Sequence, residues 1–598
     1  MKLLVCFAII IANITNNGKA SLDSFVPSSN SIMFEDTTVN SDKSCYRPCK
    51  FNVKPRRCHY RFKIEPMLEE SGKATLTVNG LSPGPPINVC VNDVIVVEVQ
   101  NKIPDQDISI HWHGIEQRGT PYMDGVPMVT QCPISYGSTY KYAFVASTPG
   151  TYFYHTDSVA HQSDGVYGAL VVNQPQPLEP HSSLYDYDRS KEYTFTIGAR
   201  FQELLTGSLE DISQKRPTNL LANGKTKSSK LFVIPGYGYR LRFINGIAVD
   251  CPITVRIEDH DMTVIAADGR PVKPLSAKSI KLFSGERLDV VVRATQASGG
   301  YWVEVRAAGG VCAGLAAEAM FLYSGYNYTD MLQGERKPDY SYCFTQPDEA
   351  VYGQMLESLH QTNYGTDVKK VYLGIDRNIV KFNDSDVDFR YLSETLRQPF
   401  LAASFIVSAL QDKGVVQINN KSFLYPSAPV FHKPRELDEE SCLVGDEEKS
   451  PEVQCVHILG AKEKEVWELT LVNEGHGSND SYIFHMHGFR MHVVATWQKP
   501  DRKPLSRQEF EQLDNDGKIT RNLKNPVIKD TVVVPNKGFT IIRIHPDRGG
   551  SWILECRACG IYSLPTAILI DVPQSIPKTV LDLLPKCGTY KPPDVLLN

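Results

Sequence analysis

Apolar residues recur along this chain in short runs of strand length, set apart by clusters of Gly, Pro, Asn and Asp. The stretch Val91-Asn-Asp-Val-Ile-Val-Val-Glu-Val99 alternates or runs apolar, as do Tyr140 to Val145, Ala169 to Val172 and Thr194 to Ile197. A period of two turns one face of a strand toward a core. Many short strands with frequent turn signals predict β-sandwiches or barrels. The strand-rich blocks fall at about 60–177, 190–330 and 395–575, with 331–394 reading as a linker. A helical pattern over Arg507 to Asp516 looks like an insertion in the third block. Gly150-Thr-Tyr-Phe-Tyr-His155, Gly300-Tyr-Trp-Val-Glu304 and Gly550-Ser-Trp-Ile-Leu-Glu-Cys556 each place a glycine before an aromatic strand, one block apart. Three copies of one sandwich are therefore expected.

Length and composition sharpen this picture. At 598 residues the chain exceeds a single core. A net charge of -5, without long runs of either sign, argues against a nucleic-acid partner or an electrostatic membrane footprint. Lys2, the apolar Leu3 to Ala12 and the small residues of Gly18-Lys-Ala20 read as a signal peptide over 1–20. That run is too short to span a bilayer, and no later stretch is long enough. The expected location is extracellular, with no transmembrane segment and an unknown extracellular partner. Residues 21–59 are a polar segment followed by Cys45, Cys49 and Cys58, read as a disulfide-stapled cluster, and 576–598 form a C-terminal tail. Cys6 leaves with the signal, so an odd number of the 14 cysteines remains and at least one thiol is free or pairs between chains. Asn327, Asn383, Asn420 and Asn479 begin glycosylation triplets.

The chemistry-bearing signal is a pair of motifs, Ile110-His-Trp-His-Gly114 and Phe484-His-Met-His-Gly488. On a strand, residues i and i+2 share a face, so each His-x-His aims two imidazoles into one space. Imidazole suits copper and zinc. A lone pair of this kind is more often a core or surface dyad. Two pairs in different blocks, both followed by glycine, point to a site between domains.

The flanking residues carry a family resemblance. Gly80-Leu-Ser-Pro-Gly-Pro-Pro-Ile-Asn-Val-Cys-Val-Asn-Asp93, Asp124-Gly-Val-Pro-Met-Val-Thr-Gln-Cys-Pro-Ile134 and Asp164-Gly-Val-Tyr-Gly-Ala-Leu-Val172 resemble the first domain of multicopper oxidases, in particular insect laccases. Ile265-Ala-Ala-Asp-Gly269, Gly285-Glu-Arg-Leu-Asp289 and Gly300-Tyr-Trp302 resemble the second domain, and Asn525-Pro-Val-Ile-Lys-Asp-Thr-Val-Val-Val-Pro535 the third. The resemblance spans about 45–575 and implies an all-β fold of three cupredoxin-like Greek-key β-sandwich domains.

It also implies a ligand set, which this chain matches only in part. The family's trinuclear centre takes eight histidines, and its type 1 copper takes two histidines and a cysteine. His111, His113, His155, His485 and His487 stand at ligand positions. Asp157, Glu555 and Arg557 stand where the trinuclear centre has histidine. Tyr482 and Ile561 replace the two type 1 histidines, Cys556 is kept, and Thr566 falls at the axial position. On this matching, His111 and His485 complete the type 2 pair. One type 3 position keeps His113 and His155 but meets Arg557, and the other keeps His487 but meets Asp157 and Glu555. A shifted alignment could bring in His476 or His492, but would restore one ligand only. Cys556-Arg-Ala-Cys559 also has redox-pair spacing, but the expected helix start of a βαβ unit is missing, so a relic cysteine, free or disulfide-bonded, is preferred.

The resulting expectation is a secreted protein of the degenerate, multicopper oxidase-related kind, without laccase activity and with a binding or structural role. The alternatives are a metalloprotein with one copper or zinc at the remaining histidines, and an atypical copper-dependent oxidase of phenols or ferrous iron. A full four-copper complement is not expected. Arg557 is expected to replace metal charge by pairing with Asp157, with Glu555 as a further partner, the competing picture being water around all three.

Overall fold

The computed structural model describes residues 35–37, 45–68, 72–206, 215–227, 229–338, 350–362, 367–378, 415–423, 425–426, 428–431, 441–443, 453–475, 481–501, 503–559, 566–574, 576–582, 584–585 and 587. The signal segment 1–20, the triplets at Asn383 and Asn479, His476 and Ile561 lie outside them.

The alternating runs become strands, and the strands pair into sheets that close over apolar cores. The first sandwich sets a five-stranded sheet against a four-stranded one. The larger sheet contains Arg56–Leu68, Val94–Asn101 and Thr139–Val145, and the smaller orders Ile87–Cys90, Tyr167–Asn173, Gly150–Thr156 and Ile110–His113. Phe62, Val97, Trp112, Tyr142 and Tyr154 fill the space between them. Val94–Val97 is apolar without alternation because both its faces are covered there, whereas Glu98 and Gln100 are only partly buried on the outer face. Ile95, Val97 and Val99 enter that core, while Val94 and Val96 pack with Ala143 on the opposite face.

Two six-stranded sheets make the second sandwich. The third, among the described residues, is a thirteen-stranded sheet, twelve strands in one path and Ser441–Leu443 pairing beside it, in which Leu469, Ile542, Leu554 and Ile568 share a core continuous with that of the second. The strand Val368–Asn378 belongs to this path, parallel to Val466–Asn473 and antiparallel to Val415–Ile418. It lies within 331–394, the stretch expected as a linker. Leu373 and Ile375 face the core there, but Lys369-Lys370 and Gly374 obscure the alternation.

The three glycine-aromatic echoes are three strand starts, Gly150–Thr156, Gly300–Ala307 and Gly550–Cys556. Gly150 has φ 155°, and a Cβ there would sit 2.7 Å from backbone atoms of Gly269, so the first and second sandwiches touch through bare backbone. The expected helix forms over Arg507–Asn515, where the Ser506 hydroxyl accepts from Glu509 N at 3.0 Å. Disulfides join Cys45–Cys58, Cys49–Cys90, Cys251–Cys312 and Cys132–Cys587. The last brings the C-terminal segment back to the first sandwich, whose core takes in Val580 and Leu584.

A buried ionic centre joins the three sandwiches. Arg287, wholly buried in the second, donates to both carboxylate oxygens of Asp530 in the third, at 2.6 and 2.5 Å. Its Nε donates to Thr151 O in the first, at 3.1 Å. Lys529, equally buried, lies 2.8 Å from Asp268 and 2.9 Å from Glu286. Glu116 is ringed by Arg118, Arg270, Arg490 and Arg548.

Two stability predictions follow from this centre. Arg287→Met leaves Asp530 short of its main counter-charge and should cost about 3–5 kcal/mol in chemical denaturation. Arg287→Lys should rescue little, since an ammonium lacks the planar two-pronged contact; full rescue would contradict the geometry. For Glu116, burial opposes ionisation, but Arg490, Arg270 and Arg548 outweigh it and hold the pKa at about 2, against an ordinary 4.5. A depressed carboxyl stabilises the fold above 4.5 and loses that contribution as pH falls toward 2. Glu116→Gln should therefore cost on the order of 3 kcal/mol near neutrality, with the deficit shrinking across that acid window in melting curves. A pH-independent deficit would contradict the assignment.

Candidate metal centre

Four strand ends build the site. Ile110–His113 and Gly150–Thr156 pair with His111 opposite His155, and Tyr482–Met486 pairs with Gly550–Cys556 with His485 opposite Glu555. The first two strands belong to the first sandwich and the others to the third, so the histidines meet across the interface. The four imidazoles of the two motifs and that of His155 are all buried and lie together.

His111 and His485 are aimed by backbone carbonyls. His111 Nδ1 donates to Asp124 O and His485 Nδ1 to Asp530 O, each at 2.9 Å. Both Nε2 atoms are then bare lone pairs, and they face each other at 3.2 Å. Burial together with His487 lowers the His111 pKa to about 3, and burial together with His113 takes His485 well below its usual value. Two neutral imidazoles with opposed lone pairs suit one cation, since bonds of about 2.0–2.1 Å from each nitrogen span such a gap.

The other positions fit metal less well. His155 Nδ1 donates to Thr156 O at 2.8 Å, and its Nε2 lies 3.2 Å from His113 Nδ1. The third position beside them holds Arg557, which has no lone pair to give. His487 lies between two carboxylates, with Nδ1 2.8 Å from Asp124 Oδ2 and Nε2 3.3 Å from Glu555 Oε1. Burial works against charge on His487, but Asp124 and Glu555 outweigh it and raise the pKa to about 9. The imidazolium so favoured donates from both nitrogens and offers nothing to a metal. Burial likewise opposes charge on Glu555, yet His487 and Arg557 hold its pKa at about 2. Asp157 goes the other way, pushed up to about 7 by burial and by Glu555.

Arg557 does not bind Asp157 as expected. Its Nη2 donates to the backbone carbonyls of Thr156 and Asp157, at 3.0 and 2.7 Å, and to Gln162 Oε1 at 3.0 Å. Its Nη1 lies 3.4 Å from Glu555 Oε1. Glu555 and Arg557 thus pair with each other, and the guanidinium reaches the first sandwich through main-chain oxygens. The Asp157 carboxyl makes no hydrogen bond to Arg557, and its Oδ1 is buried without a hydrogen-bond partner. Burial and the neighbouring Glu555 favour its protonated form.

Cys556, read from the sequence as the type 1 cysteine, is disulfide-bonded to Cys559. Tyr482 is buried on its strand, and Thr566 donates to Val416 O at 3.0 Å. His492 pairs in the strand Met491–Gln498, outside the cluster of converging imidazoles. Asp124 and Asp530, each of which sets a histidine, were not singled out from sequence. Both stand within the quoted motifs, where a carboxylate in an otherwise apolar stretch was the available sign.

Three family models described as multicopper oxidase match residues 63–177, 191–325 and 430–559. Among curated proteins, the chain is 26% identical to Laccase-2 of Botryotinia fuckeliana over 81% of this chain and 76% of the relative. It is also 26% identical to L-ascorbate oxidase of Cucurbita maxima over 83% and 87% respectively. Among solved structures, the multicopper oxidase Fet3p, described as functioning in iron import, superposes with a TM-score of 0.69 at 19% identity, covering 88% of this chain and 94% of that one. The laccase from Botrytis aclada gives 0.66 at 22%, covering 92% and 96%. These likenesses carry the cupredoxin-like sandwich fold.

The Arg557 geometry makes a testable distinction. Arg557→Met should cost about 3–5 kcal/mol by removing one of the two cationic neighbours of Glu555 and the donor to the Thr156 and Asp157 carbonyls. In double-mutant cycles it should couple to Glu555→Gln and simply add to Asp157→Asn. Strong coupling to Asp157 would restore the original expectation.

Proposed function

Because the chain belongs to the multicopper oxidase family, its chemistry turns on which copper ligands it keeps, and we propose that it is a secreted member without laccase turnover. Its role on this reading is extracellular binding or structural support. Within the family we read it as insect laccase-like and of the degenerate, multicopper oxidase-related kind, with domains at 60–177, 190–330 and 395–575 and the 1–20 segment removed. One observation carries the reading: Cys556 is bonded to Cys559, with Tyr482 buried where the type 1 centre has an imidazole. The type 1 copper is where electrons from a reducing substrate enter, and without it oxygen reduction has no supply. Arg557 between Glu555 and the first sandwich, and His487 between Asp124 and Glu555, support the loss of type 3 copper as well.

A second reading rests on a separate observation. The opposed lone pairs of His111 and His485 favour one copper or zinc ion at that pair. Such a site could store metal or hold a water; it would not rebuild an oxidase.

The test uses full-length protein secreted from cultured cells and equilibrated with copper or zinc. No blue colour is expected, and no oxygen uptake with a diphenol or ferrous iron above that of copper alone. Metal analysis should find no more than about one ion per chain, and His485→Ala should abolish it. Turnover that consumes oxygen and disappears in Cys556→Ala would overturn the proposal.

A further inference from the structure

The strand Ser229–Val233 forms an edge of its sheet, pairing with Ala316–Tyr323 alone among the described strands. Its alternation sends Leu231 and Val233 into the core and turns Phe232 outward, 53% exposed, with Ile234 just beyond at 45%. The loop after Tyr323 is fastened alongside, because Ser324 N and Oγ donate to Val233 O at 2.8 and 3.0 Å. That contact sets the Tyr328 ring edge-on to Phe232, centroids 6.0 Å apart, with Lys230 Nζ 4.6 Å above it. Leu332, 48% exposed on the helix Thr329–Gln333, follows one turn on. An outward apolar row on an open edge strand is a template for unwanted association, and stable proteins cover or blunt it.

Asn327 stands at the rim of this face, in the triplet Asn327-Tyr328-Thr329. It is exposed, and its Oδ1 accepts from Thr329 N at 3.2 Å and Thr329 Oγ1 at 2.6 Å. Its Nδ2 has no hydrogen-bond partner among the described residues. We propose that Asn327 is N-glycosylated and that its glycan covers the face formed by Phe232, Ile234, Tyr328 and Leu332. Sugar rings combine hydroxyls with apolar C–H faces that pack on aromatic rings, so a glycan rooted one residue from Tyr328 can lie over the row and present a hydrated surface. This inference rests on the reading of the chain as secreted, since the modifying reaction belongs to that pathway. In it the Asn327 amide nitrogen bonds to the anomeric carbon of a lipid-pyrophosphate-linked oligosaccharide. The bond from that carbon to the pyrophosphate oxygen breaks, the lipid pyrophosphate leaves, and the amide proton is lost to base. No oxidation is involved. The other described triplet differs in setting. Asn420 lies in the tight turn between Val415–Ile418 and Lys421–Phe423, with Lys421 and Ser422 buried behind it and, among the described residues, no exposed large apolar residue alongside.

The test takes full-length protein from the medium of secreting eukaryotic cells. Peptide mapping by mass spectrometry should find a glycan on the peptide containing Asn327, absent from Asn327→Gln. Sedimentation velocity should show a monomer before treatment. Enzymatic removal of glycans from the folded protein should then cause concentration-dependent association, reversed in Phe232→Ser with Leu332→Gln. Secreted protein with Asn327 unmodified overturns the site. Deglycosylated protein that stays monomeric overturns the covering role. Glycosylated protein that already associates through Phe232 assigns the face to a second copy and overturns it equally. A chain that stays inside the cell, keeps residues 1–20 and carries no glycan at any triplet instead defeats the secretion reading itself.

Discussion

A carboxylate can be buried where three sandwiches meet only if its charge is met on several sides, and Asp530 satisfies that condition. Arg287 binds both its oxygens from the second sandwich, and Arg490 donates to it at 2.6 Å from within the third. The same residue's backbone carbonyl fixes His485, and Thr531 beside it lies 3.0 Å from His113 Nε2. The interface and the imidazole cluster are therefore one construction. Loosening the ion pair would shift the carbonyl that sets a ligand, and the imidazoles could not converge unless the sandwiches were locked.

If the chain has lost copper ligands as proposed, that frame explains why the site has not collapsed. In a multicopper site cations offset the carboxylates and polar groups around them. On the proposed reading, the side chains here take over part of that task. Arg557 adds a permanent cation beside Glu555, and His487 gains a proton between Asp124 and Glu555. Asp157 is dealt with differently, its pKa raised to about 7 by burial and by Glu555. Each solution matches its surroundings. Glu555 has two cationic neighbours that favour its charge, whereas the charge of Glu555 works against that of Asp157.

The sandwich class, the glycine-led aromatic strands and the convergence of five histidines were legible in sequence. The first two depend on periodicity and four of the histidines on i, i+2 geometry, which survive translation into structure, while His155 was placed by the family resemblance. Val368–Asn378 was hidden because consecutive lysines broke its alternation, although Leu373 and Ile375 are fully buried. The partners of Arg557 were hidden for another reason. Sequence shows which charges are present but not which oxygens a guanidinium can reach, and backbone carbonyls of Thr156 and Asp157 carry no mark in the chain. Asp124 and Asp530 were visible as carboxylates but not as orienting groups, because it is their carbonyls that hold the histidines.

The His111–His485 pair separates a structural role from a metal-dependent one by thermodynamics alone. His111 belongs to the first sandwich and His485 to the third, so an ion held by both would bind the folded arrangement and have no preformed site in the unfolded chain. Its binding free energy would then add directly to stability, by about 2.7 kcal/mol at a hundredfold excess over the dissociation constant. The buried ion pairs around Asp530 do not depend on such an ion. A chain stabilised mainly by those pairs would unfold alike with and without metal, and one that uses the residual site would not. The same interface thus admits both readings, and the dependence of unfolding on metal concentration decides between them.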